Sequence, residues 1–158
     1  MINTTYILAF AFGIGIVAGL RSLLAPAAVS WAAYLGWLPL HNSPLAFMGS
    51  TVAVATFSVL AMGELIADLL PIIPKRTALA PLIARILTGG LCGACLCLSA
   101  GHSLLIGALF GGVGGVIGAF TGYEVRRRLV SSLKVNDSFI AVFEDLIALG
   151  LTWLFVSR

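Results

Sequence analysis

The chain has 158 residues, of which 60% are hydrophobic and 9% charged, with a formal net charge of +3 and a mean hydropathy of +1.10. A soluble domain carries about 25% charged residues, so this composition excludes an ordinary water-soluble fold and predicts an integral membrane protein. The length leaves room for five or six spans of about 20 residues with short loops, and none for an added soluble domain.

The apolar runs are continuous rather than alternating, which excludes an outer-membrane barrel and predicts helices, since lipid offers backbone groups no hydrogen bonds. The expected fold is therefore all-α, one polytopic transmembrane bundle over 1–158. Met1 to Thr5 contains neither Lys nor Arg, so the first apolar run is expected to remain as a span rather than act as a secretory signal.

Five apolar stretches follow in order: Tyr6 to Leu38, Leu45 to Ile73, Ala78 to Leu98, Leu104 to Gly122 and Phe139 to Val156. The first, at 33 residues, would reach about 50 Å against a hydrocarbon core of about 30 Å, and must break. Arg21, Ser22 and Pro26 place that break within Gly19 to Pro26. Tyr6 to Leu20 becomes a short span. Leu23 to Leu38 becomes either a further short span or a re-entrant helix lining a cavity.

In the second stretch Glu64 and Asp68 lie one helical turn apart. An ionisable residue at membrane depth costs roughly 2.5 to 3.5 kcal/mol and marks a functional site by default. Pro71 and Pro74 end this stretch sharply before Lys75 and Arg76, because proline removes a donor and forces an extended predecessor. The third stretch carries Arg85. It also holds Cys92, Cys95 and Cys97 among glycines, where small packing residues are expected rather than a metal or redox site.

The fourth stretch carries two glycine ladders, Gly107, Gly111, Gly115 and Gly114, Gly118, Gly122; Gly15 and Gly19 form a shorter one on the first. Small residues at every fourth position let helices approach closely. That spacing predicts contact between the fourth stretch and the first, or its copy in another subunit; a narrow pore lined by glycine backbone is the alternative. The fifth stretch carries Glu144 and Asp145.

Lys75 and Arg76, and Arg126, Arg127, Arg128 and Lys134, occupy two loops between stretches, while the connections Pro39 to Pro44 and Ala100 to Ser103 carry no Lys or Arg. The positive-inside rule makes the basic loops cytoplasmic. Asp68 then lies roughly 10 Å, and Arg85 roughly 13 Å, from that edge. Glu144 and Asp145 fall at a similar level. Glu64, Asp68, Glu144 and Asp145 thus share a layer with Arg21 and Arg85.

Two readings of that layer compete. Asp68 with Arg85, and Glu144 with Arg21, could pair to hold helices in register, a weak source of stability. Four acids exceed what two bases require, however, and surplus buried carboxylates bind a small cation or relay a proton, with Arg21 and Arg85 tuning their charge. Internal similarity points the same way: Gly15-xxx-Gly19-Leu20-Arg21 parallels Gly118-xxx-Gly122-Tyr123-Glu124, and Glu64-Leu-Ile-Ala67 parallels Asp145-Leu-Ile-Ala148. Weak repeats with broken helices and midplane charges are typical of small transporters.

Lys75, Arg76, Arg126, Arg127 and Arg128 are candidates for anionic lipid headgroups. Tyr6, Trp31, Trp37 and Trp153 stand where interfacial aromatic anchors would be. His41 and His102 fall in the outer loops, away from the acids. No catalytic constellation, cofactor fingerprint or metal cage is present in the pattern, and the basic residues do not form a nucleic-acid surface.

The strings Gly19-Leu-Arg-Ser-Leu-Leu-Ala-Pro-Ala-Ala-Val-Ser-Trp-Ala-Ala33, Gly63-Glu-Leu-Ile-Ala-Asp68 running into Pro71 and Pro74-Lys-Arg-Thr77, and Gly122-Tyr-Glu-Val-Arg126 resemble a family of small bacterial membrane proteins catalogued as a domain of unknown function, DUF4126. The resemblance implies a multi-pass location in the bacterial cytoplasmic membrane and a single helical domain, and it transfers no activity or site residues.

The expectation is a small ion- or proton-coupled transporter or channel, a homo-oligomer because so small a bundle rarely encloses a pathway alone. Its partners would be membrane lipids and a small cation or proton. The alternatives are a protein that binds or processes a lipid-linked phosphate through Arg126 to Arg128, and a non-catalytic assembly partner in a membrane complex.

Overall fold

A computed structural model describes residues 4–67, 79–133, 146–148, 150, 151, 153 and 154, without the side chains of 126 and 129–133. All regular structure among the described residues is helical: α1 Thr4–Leu20, α2 Leu24–Tyr34, a 3-10 turn Ala46–Gly49, α3 Thr51–Ala67, α4 Leu79–Ser99 and α5 Leu104–Leu133. The described positions from 146 to 154 are also helical.

The first apolar run breaks at Arg21–Leu23, inside the window that the charge and proline indicate. Pro26 falls in the first turn of α2, where a missing N–H removes no intrahelical bond. The far end of α2 comes earlier than hydropathy suggests. Gly36 takes φ +80°, and Trp37 N–H donates to Ala32 O at 2.9 Å while Gly36 N–H donates to Ala33 O at 3.2 Å. This paired closure ties off the last carbonyls of a helix around a left-handed residue, a conformation that glycine adopts at little steric cost. Gly101, with φ +74°, ends α4 in the same way, through His102 N–H to Cys97 O at 2.8 Å.

Eleven residues carry α2 about 16 Å, half of a hydrocarbon core of about 30 Å. The chain then turns through Ala46–Gly49, and Ser50 starts α3, its hydroxyl accepting from Ala53 N–H at 3.1 Å. That is an ordinary serine N-cap.

Two segments, Leu79–Ser99 and Leu104–Val125, are long and apolar enough to cross a membrane; α1 and α3 are shorter apolar helices of 17 residues each. The expected count of five or six spans thus reduces, among the described residues, to two helices of crossing length. The fourth stretch also differs from expectation at its end. No proline follows Gly122, and α5 continues to Leu133. Arg126, Arg127 and Arg128 therefore lie on a helix, not in a loop. Glu124 supports that extension through Arg127 and Arg128, at 3.0 and 2.8 Å, the three- and four-residue spacings at which opposite charges meet on a helix.

α1, α4 and α5 pack together pairwise, with α2 and α3 mutually packed beside them. Glycine makes this possible. A Cβ on Gly111 would collide with the backbone of Gly89, and one on Gly15 with the backbone of Gly111. Gly111 is thus the point where three helix backbones meet. The pairs Gly15 with Gly111 and Gly19 with Gly115 make α1 parallel to α5, while Gly93 with Gly107 and Gly89 with Gly111 make α4 antiparallel to it. Both ladders on α5 face neighbouring helices: Gly107, Gly111 and Gly115 meet α4, while Gly114 and Gly118 meet α1.

The weak repeat does not extend to local shape. The chain breaks after Arg21, whereas the matching position, Glu124, lies inside the uninterrupted α5.

The core joins Ile14 and Val17 of α1, Ala25 and Val29 of α2, Met48 of the turn, Cys92 and Cys95 of α4, and Ala148. Cys92, Cys95 and Cys97 are free and buried and act as small packing residues. Much of the outer surface is apolar, including Val52 and Met62 on α3, Leu79 and Leu87 on α4, and Leu105 and Leu109 on α5.

Candidate functional site

The break between α1 and α2 is the polar centre of the described structure. A helix end leaves carbonyls without intrahelical donors, and a helix start leaves N–H groups without acceptors. At Arg21–Leu23 both sets meet inside the protein. Leu23, at the N-cap of α2, has no side-chain cap of its own, and none is available from a leucine.

Glu64 supplies the missing acceptor from α3. Its Oε2 accepts from Leu23 N–H at 2.9 Å, and its Oε1 accepts from Ser22 N–H at 2.9 Å and from the Ser22 hydroxyl at 2.6 Å. Arg85 supplies the complementary donor from α4, with Nη1 donating to Gly19 O at 2.6 Å. An anion thus stands at the start of α2 and a cation at the end of α1. Each has the sign that the local helix dipole favours.

Arg21, 1% exposed, lies within the break, and Arg85 is 6% exposed. Glu64 is only partly buried. Three of the residues that the sequence places in one layer, Arg21, Glu64 and Arg85, therefore belong to this break. Asp68, Glu144 and Asp145 lie outside the described residues, as do the proposed pairs of Asp68 with Arg85 and Glu144 with Arg21.

Ser22 and Gly19 are the contributors that charge patterning misses. Ser22 has a detectable signal: it follows a buried charge and precedes Pro26, where helix starts attract hydroxyl side chains. Gly19 contributes only a carbonyl, which leaves no mark on sequence.

The basic candidates divide similarly. Arg127 and Arg128 are well exposed and both bind Glu124. Lys75, Arg76, Lys134 and the side chain of Arg126 lie outside the described residues.

At the other end of α2 the aromatic residues gather. Trp31 and Tyr34 meet edge to face with ring centres 6.1 Å apart, and Trp37 meets Trp153 at 5.4 Å. Trp31 also donates from Nε1 to the Ser58 hydroxyl at 3.0 Å. A separate apolar groove of about 520 Å³ runs between α4 and α5, with Leu45 also lining it. Among the described residues no three His, Cys, Asp or Glu side chains are grouped as a metal site would require.

The break can hold charge at fixed positions, offer a carboxylate to a proton or small cation, and exchange Ser22 as a hydrogen-bond partner. The family model described as Domain of unknown function (DUF4126) matches residues 8–157. No curated protein and no solved structure matches the chain.

Proposed function

The chain belongs to the DUF4126 family over residues 8–157, and from its own site we propose that it is a multi-pass protein of the bacterial cytoplasmic membrane that moves a small cation or a proton past Glu64. The single observation that carries this reading is the Glu64 carboxylate held against a helix break inside an otherwise apolar bundle. Discontinuous helices whose ends meet near the middle of the membrane are how many transporters build their substrate and ion sites.

Two further observations support the membrane setting. α4 and the first part of α5 have crossing length, and large apolar side chains cover the outward faces of α3, α4 and α5. Soluble monomers rarely expose apolar patches beyond a few hundred Å². In this reading α3, α4, α5 and the C-terminal helix cross the membrane, α1 and α2 form a broken pair whose ends meet inside it, and a homo-oligomer completes the pathway.

In this mechanism Glu64 is the exchange group. Arrival of a proton or cation competes with the Ser22 and Leu23 donors for the carboxylate oxygens, and departure restores them. Arg85 holds the end of α1 while this happens. Asp68, Glu144 and Asp145 extend the acidic layer, and Arg21 and Arg85 set its charge.

The test is ion and proton flux in proteoliposomes for the wild type and a Glu64→Gln variant of equal helicity. Flux that vanishes in the variant supports the assignment; equal flux in both removes Glu64 from the pathway.

A second reading is favoured by Arg127 and Arg128, exposed just beyond the apolar segment that ends at Val125. They, with Lys75, Arg76 and Arg126, would hold a lipid-linked phosphate. Phosphate-bearing lipid that co-purifies with the wild type and is lost on Arg127→Gln, Arg128→Gln replacement would favour it.

A further inference from the structure

We infer that the α1–α2 break lies near the middle of the bilayer, about 16 Å below an aromatic rim, Tyr34 and Trp37, that meets the lipid headgroup region. This rests on the membrane reading proposed above and adds the depth of the site and the side of the bilayer to which α2 leads.

Two independent rulers give the same depth. The first is α2: its eleven residues from Leu24 to Tyr34 raise the chain about 16 Å from the break to the rim. The second is α5. Gly19 and the backbone of Arg85 both abut Gly115, which lies eleven residues past Leu104, again about 16 Å along the helix. Leu104–Val125 spans about 33 Å by the same rise, so Gly115 marks its midpoint. A hydrocarbon core of about 30 Å places both marks close to its centre.

The two ends of the ruler have the chemistry of two interfaces. Beyond Val125 stand Arg127 and Arg128, exposed and suited to anionic headgroups. At the opposite end Tyr34 and Trp37 are half exposed, with apolar ring bodies and polar tips, the residues that settle at the boundary between headgroups and hydrocarbon. Leu38, Leu40 and Met48, in the connection after Trp37, share a core cluster with Cys95 and Leu96 of α4, beyond the Gly93–Gly107 contact toward Leu104, which puts that connection on the Leu104 side. α2 is then a half-length, re-entrant helix that descends from the rim to the break. Trp31, one turn below Tyr34, stands at intermediate depth, its N–H already bonded to Ser58.

The partner is the bilayer itself, and the test is its measured depth. Variants that keep Trp37 alone or Trp31 alone are placed in vesicles of phosphatidylcholines brominated at shallow or deep acyl positions. Ile117→Trp and Val113→Trp, at exposed positions flanking Gly115, are made in a background with Trp31, Trp37 and Trp153 replaced by Phe. Circular dichroism confirms the fold of each.

The expected result is strongest quenching of Trp37 by shallow bromines, of the Ile117→Trp and Val113→Trp variants by deep bromines, and an intermediate profile for Trp31. Deep quenching of Trp37, shallow quenching of both the Ile117→Trp and Val113→Trp variants, or no quenching in any variant overturns the inference. Loss of the transport reading in the flux assay, with this depth order intact, would leave the inference standing.

Discussion

Glu64 and Ser22, 42 positions apart in sequence, share two hydrogen bonds: one carboxylate oxygen accepts both the backbone N–H and the hydroxyl of the serine. With Leu23 N–H on the second oxygen, α3 acts as the cap that α2 lacks. The carboxylate therefore has a structural task as well as any transport task, and the two separate by experiment.

Replacing Glu64 by Ala leaves the Ser22 and Leu23 donors without their acceptor. Buried donors left unpaired cost about 1–3 kcal/mol; these are partly buried, and thermal unfolding in detergent should show a loss toward the lower end of that range. Ser22→Ala removes one hydroxyl donor and should cost less, about 0.5–1.5 kcal/mol. A Ser22→Ala loss as large as that of Glu64→Ala would contradict the capping geometry.

Arg85→Met removes the donor to Gly19 O on the other side of the same break. Because Glu64 and Arg85 hold adjoining chain ends, their effects should not add. A double-mutant cycle is expected to give a coupling of about 0.5 kcal/mol or more, as for residues in one network. Strict additivity would show that the two ends are held independently.

Gly111→Ala places a methyl group against the Gly89 backbone, which has no side-chain freedom to yield. Overpacking of this kind costs about 1–3 kcal/mol or more. Gly63→Ala is the matched control: nothing lies within 4 Å of its added Cβ, and an alanine inside α3 should be neutral or gain about 0.5–1 kcal/mol. The pair is read by unfolding midpoints; equal effects would refute the contact.

Cys92, Cys95 and Cys97 are free, and all three are buried. A membrane-permeant maleimide should label the folded protein slowly and the detergent-denatured protein fully, measured by intact mass. Rapid labelling of the folded state would show that the α4 face opens.

Where the chain must break was legible, because a charge and a proline in an overlong apolar run leave few alternatives. The end of α2 was not: apolar residues continue through Trp37 and Leu38, and hydropathy passes over Gly36, whose left-handed backbone makes the stop. The extension of α5 was hidden for the opposite reason. Arg126 to Arg128 resemble a loop by charge, yet Glu124 gives them helical partners.

At the site, charge patterning placed Arg21, Glu64 and Arg85 in one layer and considered only charged partners for them. The bonds found for Glu64 and Arg85 include backbone and hydroxyl partners, and a carbonyl such as that of Gly19 has no letter in the alphabet.

The meeting of three backbones at Gly111 also imposes an order on biogenesis. α1 is made before α4 and α5, yet the surfaces its glycines pack against belong to those two later helices. Until then its glycine face has no partner. α4 and α5, close in sequence and closed by the short turn at Gly101, can form as a hairpin on their own and serve as the template onto which the earlier helices fold back. Co-expressed halves divided between α3 and α4 should therefore reassemble, with the C-terminal half stable first.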